Sequence, residues 1–256
     1  EAVMDIHSMH KTSTKFLVME TMGRNAGWLA LAGGLVKQVL PDTPLMIMTA
    51  EMEFNQHKFF KQVELLIKEK GYCVCVVSEG LRCPSGEFIS IENIEHTQTK
   101  NFTQLGGAGN TLAGMVAEKF KVKTHTIVPD YLQRSASHFV SKTDWEMAYQ
   151  AGTSAVIAAK NQQHGCIPII EKTSSSPFKW RFKTIKISEV ANLDKTVPTD
   201  YINKNTFSIT PKAEQYLLEL IQGEVPFKYQ QGLPLFDPFK GVKTPPCLVK
   251  FDITTP

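Results

Sequence analysis

The sequence predicts an α/β fold with a doubly wound, mostly parallel sheet, and two observations carry this prediction. Short apolar runs alternate with longer segments of helical apolar spacing through residues 1–170. The run Tyr72–Ser78 is apolar along nearly its whole length, as expected of a strand buried on both faces of a parallel sheet. Such alternation favours Rossmann-type layers, in which crossover helices cover both faces of the sheet.

The elements follow one another in a regular order. Pro41 stops the first helix after an apolar strand, and Gly71 is placed to end a second amphipathic helix. Strands are predicted over 16–22, 45–48, 72–78, 123–128 and 166–170, and helices over 24–40, 54–70, 111–120 and 143–160.

The periodicity weakens after residue 171. Residues 173–177 form a turn-rich link, a helix is predicted over 212–222, and the Pro-rich stretch 234–256 is typical of an extended tail. We therefore predict an α/β domain over 1–170 and a less regular C-terminal extension over 171–256.

Composition excludes several classes of protein. The 256 residues carry a net charge of only +3, which is too small and dispersed to favour nucleic-acid binding. The sequence shows neither a membrane-spanning apolar stretch nor a signal peptide, so a cytoplasmic location is expected. The five cysteines lack disulfide or zinc spacing. Cys73 and Cys75, two apart in one strand, are interpreted as core thiols in preference to metal ligands.

The motif Met22–Trp28 is the strongest functional signal. An apolar strand ending in Gly-Arg at a helix start sets a cation beside backbone N–H groups, an arrangement that binds phosphate. The alternative is an arginine that pairs with a carboxylate at a strand–helix corner. A glycine-rich stretch, 105–110, lacks both the G-x-G-x-x-G spacing and a preceding strand, so we expect it to be structural.

Two further strand ends bring polar residues to the same edge of the predicted sheet. The third strand ends at Ser78-Glu79-Gly80, and the strand from Lys123 runs into Asp130–Arg134. Ligands of open α/β sheets bind at the carboxyl ends of the strands. Two guanidinium groups suit a phosphate, and a carboxylate with a phenol suits sugar hydroxyls, so these ends outline a sugar-phosphate pocket.

The motifs at 20–28, 76–80 and 130–135 resemble, in order and spacing, those of the phosphofructokinase family. The Tyr-Leu-Gln-Arg form at 131–134 is most similar to its pyrophosphate-dependent branch. The resemblance implies a glycolytic kinase that transfers a phosphoryl group from pyrophosphate to O1 of fructose 6-phosphate with Mg²⁺. The alternatives left open are the ATP-dependent branch and a non-catalytic sugar-phosphate-binding regulatory module.

The resemblance also implies roles for individual residues. Arg24 and Arg134 would hold the 6-phosphate, and Glu79 would bind sugar hydroxyls. The backbone of Met22 and Gly23 would line the sugar, Tyr131 would close the pocket, and Leu132 and Gln133 would position it. Lys15 would reach the site of a neighbouring subunit. A further arginine of the family, expected before the Tyr-Leu-Gln-Arg loop, is replaced here by His125 or Lys123.

One part of the family pattern is absent from the sequence. The donor loop G-G-D-x-[ST] and the catalytic T-I-D-N-D segment, which precede the Met-Gly-Arg motif in the family, do not occur in it. Phosphoryl transfer needs a metal-held donor and a positioned base. We therefore expect a C-terminal portion of a longer enzyme, with neither the catalytic base nor a metal site in this chain. Alone it should be inactive, and a homo-oligomer is expected.

Overall fold

The computed structural model describes residues 1–89, 106–236 and 241. By its contacts the chain divides into two units, Glu1–Val225 and Pro226–Pro256. The smaller unit contains an antiparallel pair, Tyr229–Gln230 with Leu233–Pro234. The predicted domain boundary at residue 170 stays a prediction.

The elements of the larger unit follow the predicted alternation. The helices are α1 Ala2–Met9, α2 Trp28–Ala32, α3 Val36–Val39, α4 Gln56–Lys70, α5 Ala108–Phe120, α6 Leu132–Ser135, α7 Lys142–Lys160 and α8 Pro211–Leu220. The strands are β1 Phe16–Thr21, β2 Leu45–Met48, β3 Cys73–Ser78, β4 Thr124–Ile127, β5 Cys166–Ser175, β6 Phe178–Lys186, β7 Ile202–Asn203 and β8 Ser208–Ile209.

The central sheet is parallel, with the strand order β2-β3-β1-β4. Phe16 lies opposite both Cys73 and Thr124, and Thr21 lies opposite Ser78. The strands β3, β1 and β4 therefore begin at the same level of the sheet. The carboxyl ends of β1, β3 and β4 therefore share one edge of the sheet.

Helices cover both faces of this sheet, which confirms the doubly wound α/β fold. Alternate residues of β1 enter two different cores, because successive side chains of a strand point to opposite faces. On one face Phe16 and Val18 pack with residues of α4 and α5, including Phe59 and Leu112. On the other face Leu17 packs with residues of α1 and α2: Ile6 and Ala30.

The first helix begins later than predicted. A helix over 24–40 was expected, whereas α2 begins at Trp28 and a 3-10 turn, Gly33–Leu35, separates it from α3. Gly23 and Arg24 have φ of 152° and 44°, which are not helical angles. Gly33 and Gly34 allow close contact with the side chains of Val76 and Ile209.

The strand predicted over 166–170 is wrong in both length and partner. β5 extends to Ser175 and pairs antiparallel with β6, forming a two-stranded sheet separate from the parallel one. Most of the predicted link over 173–177 therefore belongs to a hairpin. The alternating aromatic side chains of β6, Phe178, Trp180 and Phe182, are a period-two signal for this strand.

Other predictions fall partly outside the described residues. Residues 90–105 of the predicted loop lie outside them, as do 237–240 and 242–256 of the predicted tail. Among the helices of the described residues, none combines the length and the apolar character that crossing a bilayer requires.

Candidate functional site

The candidate site is formed by three loops that leave the carboxyl ends of neighbouring strands. The loop after β1 contains Met22–Arg24, the turn after β3 contains Glu79 and Gly80, and α6 follows β4 through Asp130 and Tyr131. The predicted phosphate and sugar residues thus lie on segments that begin at one edge of the sheet.

Glu79 binds the backbone of the loop after β1. Its Oε1 accepts hydrogen bonds from the N–H groups of Gly23, at 3.2 Å, and Arg24, at 3.1 Å. A carboxylate oxygen that accepts two amide protons fixes the local path of the chain. The expectation that these N–H groups lie exposed at a helix start is wrong, because Glu79 takes both and the helix begins four residues later.

The loop after β1 and the turn after β3 are packed backbone to backbone. A Cβ atom at Gly80 would lie 1.4 Å from the carbonyl oxygen of Arg24, and one at Gly23 would lie 2.5 Å from that of Ala26. Arg24 itself has φ 44°, an uncommon conformation for a residue with a side chain. Both glycines are therefore needed to place Arg24, and the requirement at Gly80 was not anticipated from the sequence.

Gln133 links the third loop to the first. Its Oε1 accepts a hydrogen bond from Met22 N at 3.1 Å, and its Nε2 donates to Asp130 O at 3.2 Å. In the same turn the Arg134 guanidinium lies 4.6 Å from the centre of the Tyr131 ring, within the range of a cation–π contact. The side chain of Leu132 is exposed.

Arg24 and Arg134 are exposed, and neither enters an ion pair with a carboxylate in the part of the chain that the structure describes. The alternative in which Arg24 pairs with a carboxylate at a strand–helix corner is therefore not what the structure contains. Two guanidinium groups remain available to an anion at the same edge of the sheet.

Lys15 and His125 do not join this cluster within one chain. Lys15 precedes β1, at the opposite edge of the sheet, and its Nζ donates to the carbonyl oxygen of His10. His125 is exposed on β4 and lies opposite Leu17, near the start of β1. Their contact with a neighbouring subunit stays a prediction.

A fourth strand end carries a carboxylate that sequence reasoning missed. Glu51 follows β2 and accepts hydrogen bonds from the backbone N–H groups of Gly27 and Val197. The rule applied to the other strand ends would have singled out Glu51. Nothing in the sequence indicates that residues near 197 approach this loop, because 146 positions separate Glu51 from Val197.

The described residues contain no group of three or more His, Cys, Asp or Glu side chains placed to hold a metal ion. Cys73 and Cys75 are buried in the core, and this burial raises the pKa of both thiols above the ordinary value. They therefore stay protonated at neutral pH and pack as apolar groups, in line with their interpretation as core thiols.

Comparison with known proteins adds an independent line of evidence. The family described as phosphofructokinase matches residues 1–159. The pyrophosphate–fructose 6-phosphate 1-phosphotransferase of Xanthomonas campestris is 40% identical over 243 residues, which are 94% of this chain and 58% of the relative. The enzyme of the same name from Halomonas elongata is 42% identical over 234 residues, 91% of this chain and 55% of the relative.

A solved structure gives the same result. The pyrophosphate-dependent phosphofructokinase from Nitrosospira multiformis matches with a TM-score of 0.84 and 38% identity, over 98% of this chain and 59% of that one. The chain thus spans little more than half the length of the relatives that it matches.

Proposed function

The chain belongs to the phosphofructokinase family, and from that premise we propose that it forms the sugar-phosphate-binding part of a pyrophosphate-dependent 6-phosphofructokinase. The reaction transfers a phosphoryl group from pyrophosphate to O1 of fructose 6-phosphate and gives fructose 1,6-bisphosphate. The single observation that carries the proposal is the pair of exposed guanidinium groups, Arg24 and Arg134, which form no ion pair with the described residues and lie on loops joined by the hydrogen bond between Met22 and Gln133.

The proposed roles follow from these positions. Arg24 and Arg134 bind the 6-phosphate, since a guanidinium offers paired donors to phosphate oxygens. Glu79 holds the Gly23–Arg24 backbone with Oε1 and offers its carboxylate to sugar hydroxyls. The Met22 and Gly23 backbone lines the sugar, and Tyr131 closes the pocket beside Arg134. Leu132 and Gln133 set the position of the third loop.

The phosphoryl donor and the metal belong to the proposal as well. Pyrophosphate is favoured over ATP by the names of the relatives at 40% and 42% identity. We propose that the enzyme uses Mg²⁺, as its family resemblance implies. The described residues supply no cluster of metal ligands. A glycolytic, cytoplasmic homo-oligomer completes the proposal.

Binding of fructose 6-phosphate to the purified chain tests the proposal. Calorimetry should detect fructose 6-phosphate and give no measurable heat with fructose, because the phosphate supplies the charge that the two arginines bind. Equal binding of both sugars, or of neither, would contradict a sugar-phosphate site.

The donor is tested by the formation of fructose 1,6-bisphosphate with pyrophosphate or ATP, in the protein joined to a donor-binding half from one of the relatives. Turnover with pyrophosphate alone supports the proposed donor. Turnover with ATP alone would assign the chain to the ATP-dependent branch. Sugar-phosphate binding without turnover on either donor would favour the non-catalytic regulatory module.

A further inference from the structure

A segment from the C-terminal part of the larger unit crosses the loop that carries Arg24. Asp194 Oδ2 accepts a hydrogen bond from Asn25 Nδ2 at 2.9 Å, and the Lys195 carbonyl accepts one from Trp28 Nε1 at 2.6 Å. Val197 donates its N–H to Glu51 at 2.7 Å. Three contacts between residues 146 to 169 positions apart thus converge on a few positions, and we call residues 194–197 the crossing segment.

The Glu51 carboxylate binds both the loop that carries Arg24 and the crossing segment. One of its oxygens, Oε1, accepts from Val197 N at 2.7 Å and from Gly27 N at 3.1 Å, and Oε2 lies 3.3 Å from the same Gly27 N. The carboxylate is half-buried, where charge-assisted hydrogen bonds are stronger than in open water. Glu51 thus binds the backbone of both segments, in addition to the direct contacts made by Asn25 and Trp28.

This arrangement bears on Arg24 because of the backbone strain at that residue. A positive φ at a residue other than glycine persists only where the surroundings hold it. Glu79 holds the amide of Arg24 on one side, and Glu51 holds Gly27 three residues later. The residue between them, Asn25, is held by both Asp194 and the Arg82 guanidinium.

We propose that Glu51 is a positioning residue for the sugar-phosphate site, which orients the Arg24 guanidinium by fixing Gly27 against the crossing segment. This inference rests on the proposed function, because it assigns the purpose of the link to phosphate binding. Glu51 is not expected to touch the sugar phosphate.

The experiment compares Glu51→Ala and Glu51→Gln with the control Glu53→Ala, which removes an exposed carboxylate two residues away. The dissociation constant for fructose 6-phosphate should rise about tenfold in Glu51→Ala, equivalent to about 1.4 kcal/mol. Glu51→Gln retains one acceptor oxygen and should recover part of the affinity, whereas Glu53→Ala should leave it unchanged. Thermal melting of each variant verifies that it is folded at the assay temperature.

A double-mutant cycle separates positioning from general stability. If Glu51 acts through Arg24, Glu51→Ala should weaken binding no further in a chain that already carries Arg24→Ala. Additive losses, or an unchanged dissociation constant in Glu51→Ala, would overturn the inference and leave the proposed function standing.

Failure of the proposed function has a different signature. It is shown by absence of fructose 6-phosphate binding in the unsubstituted chain, and the inference then falls with it. Hydrogen exchange measures the link without any ligand: exchange of the Gly27 and Val197 amides should accelerate in Glu51→Ala and not in Glu53→Ala. Unchanged exchange would overturn the inference whatever the chain binds.

Discussion

Arg24 combines a strained backbone with an exposed charge that no carboxylate of the described part of the chain pairs. The backbone is held by the Glu79 carboxylate and by the close approach of Gly80, so the guanidinium projects from a fixed point. Arg134 is held in turn by its contact with the Tyr131 ring. The loop that carries Arg24 is therefore held in place before an anion binds, and this favours phosphate recognition over general surface charge.

Replacement of Arg24 by Ala should weaken fructose 6-phosphate binding by about 2–3 kcal/mol, the loss expected for hydrogen bonds to a charged group. Arg134→Ala should behave similarly, and Arg24→Lys should recover only part of the affinity because the forked geometry is lost. Titration calorimetry measures these losses. Arg181→Ala is the matched control, since Arg181 lies on β6 and pairs with Glu171. An affinity in Arg24→Ala equal to that of the control would remove Arg24 from the pocket.

The sequence predicts which candidate residues follow the strand ends better than it predicts what these residues contact. Glu79, Gln133 and Arg134 could be found because each follows a strand of the parallel sheet, and strand ends are readable from apolar runs. That Glu79 binds the Gly23 and Arg24 amides could not be found, because it depends on the positive φ of Arg24 and on the missing Cβ of Gly80. The Glu51 link depends on the tertiary course of residues 194–197, which have no periodicity.

At the scale of elements, Glu20 joins the central strand β1 to helix α5. Its side chain is buried and accepts hydrogen bonds from Gly107 N at 3.1 Å and Gly109 N at 2.7 Å. A phosphate-binding loop would need free amide groups, but two amides of this glycine-rich stretch already donate to the Glu20 carboxylate. The expectation that this stretch is structural is confirmed for Gly107 and Gly109.

Removal of the Glu20 carboxylate should destabilise the fold. Glu20→Ala leaves two amide groups at the start of α5 without this acceptor, at a cost of about 2–4 kcal/mol in the free energy of unfolding. Glu20→Gln keeps one acceptor oxygen and should lose less. The control is Glu118→Ala, at an exposed position of α5. Urea unfolding measures the difference, and a loss for Glu20→Ala no larger than for the control would show that the two hydrogen bonds do not anchor this helix.

Some helices and strands are specified by local sequence, and others by contacts between distant parts of the chain. The parallel strands and α4, α5 and α7 could be predicted, because apolar periodicity and caps such as Gly71 are local features. The late start of α2 and the length of β5 could not, for different reasons. The first follows from the Glu79 contact to Gly23 and Arg24, and the second from pairing with β6 across nine residue pairs.

At the scale of the whole molecule, exposed apolar residues lie beside the candidate site. Tyr131, Leu132 and Phe139 are 61%, 65% and 68% exposed; Tyr131 is the N-cap of α6, Leu132 begins this helix, and Phe139 ends the 3-10 turn Ser137–Phe139 that follows it. Exposed apolar patches of a few hundred Å² favour association with another protein surface. A symmetric contact between copies of the chain would cover such a surface on both partners at once.

Lys15 gives this assembly a testable geometry. The six residues of β1 lie between Lys15 and Met22, so the two are about 23 Å apart at roughly 3.3 Å per residue, which is beyond the reach of a lysine side chain. Lys15 can therefore serve a sugar-phosphate site only in another subunit. We expect light scattering to give the mass of a dimer or larger oligomer at micromolar concentration. Lys15→Ala should weaken fructose 6-phosphate binding in that oligomer, whereas Lys11→Ala, at an exposed position nearby, should not. A clean monomer mass would refute the shared site, and so would an oligomer in which Lys15→Ala leaves the affinity unchanged.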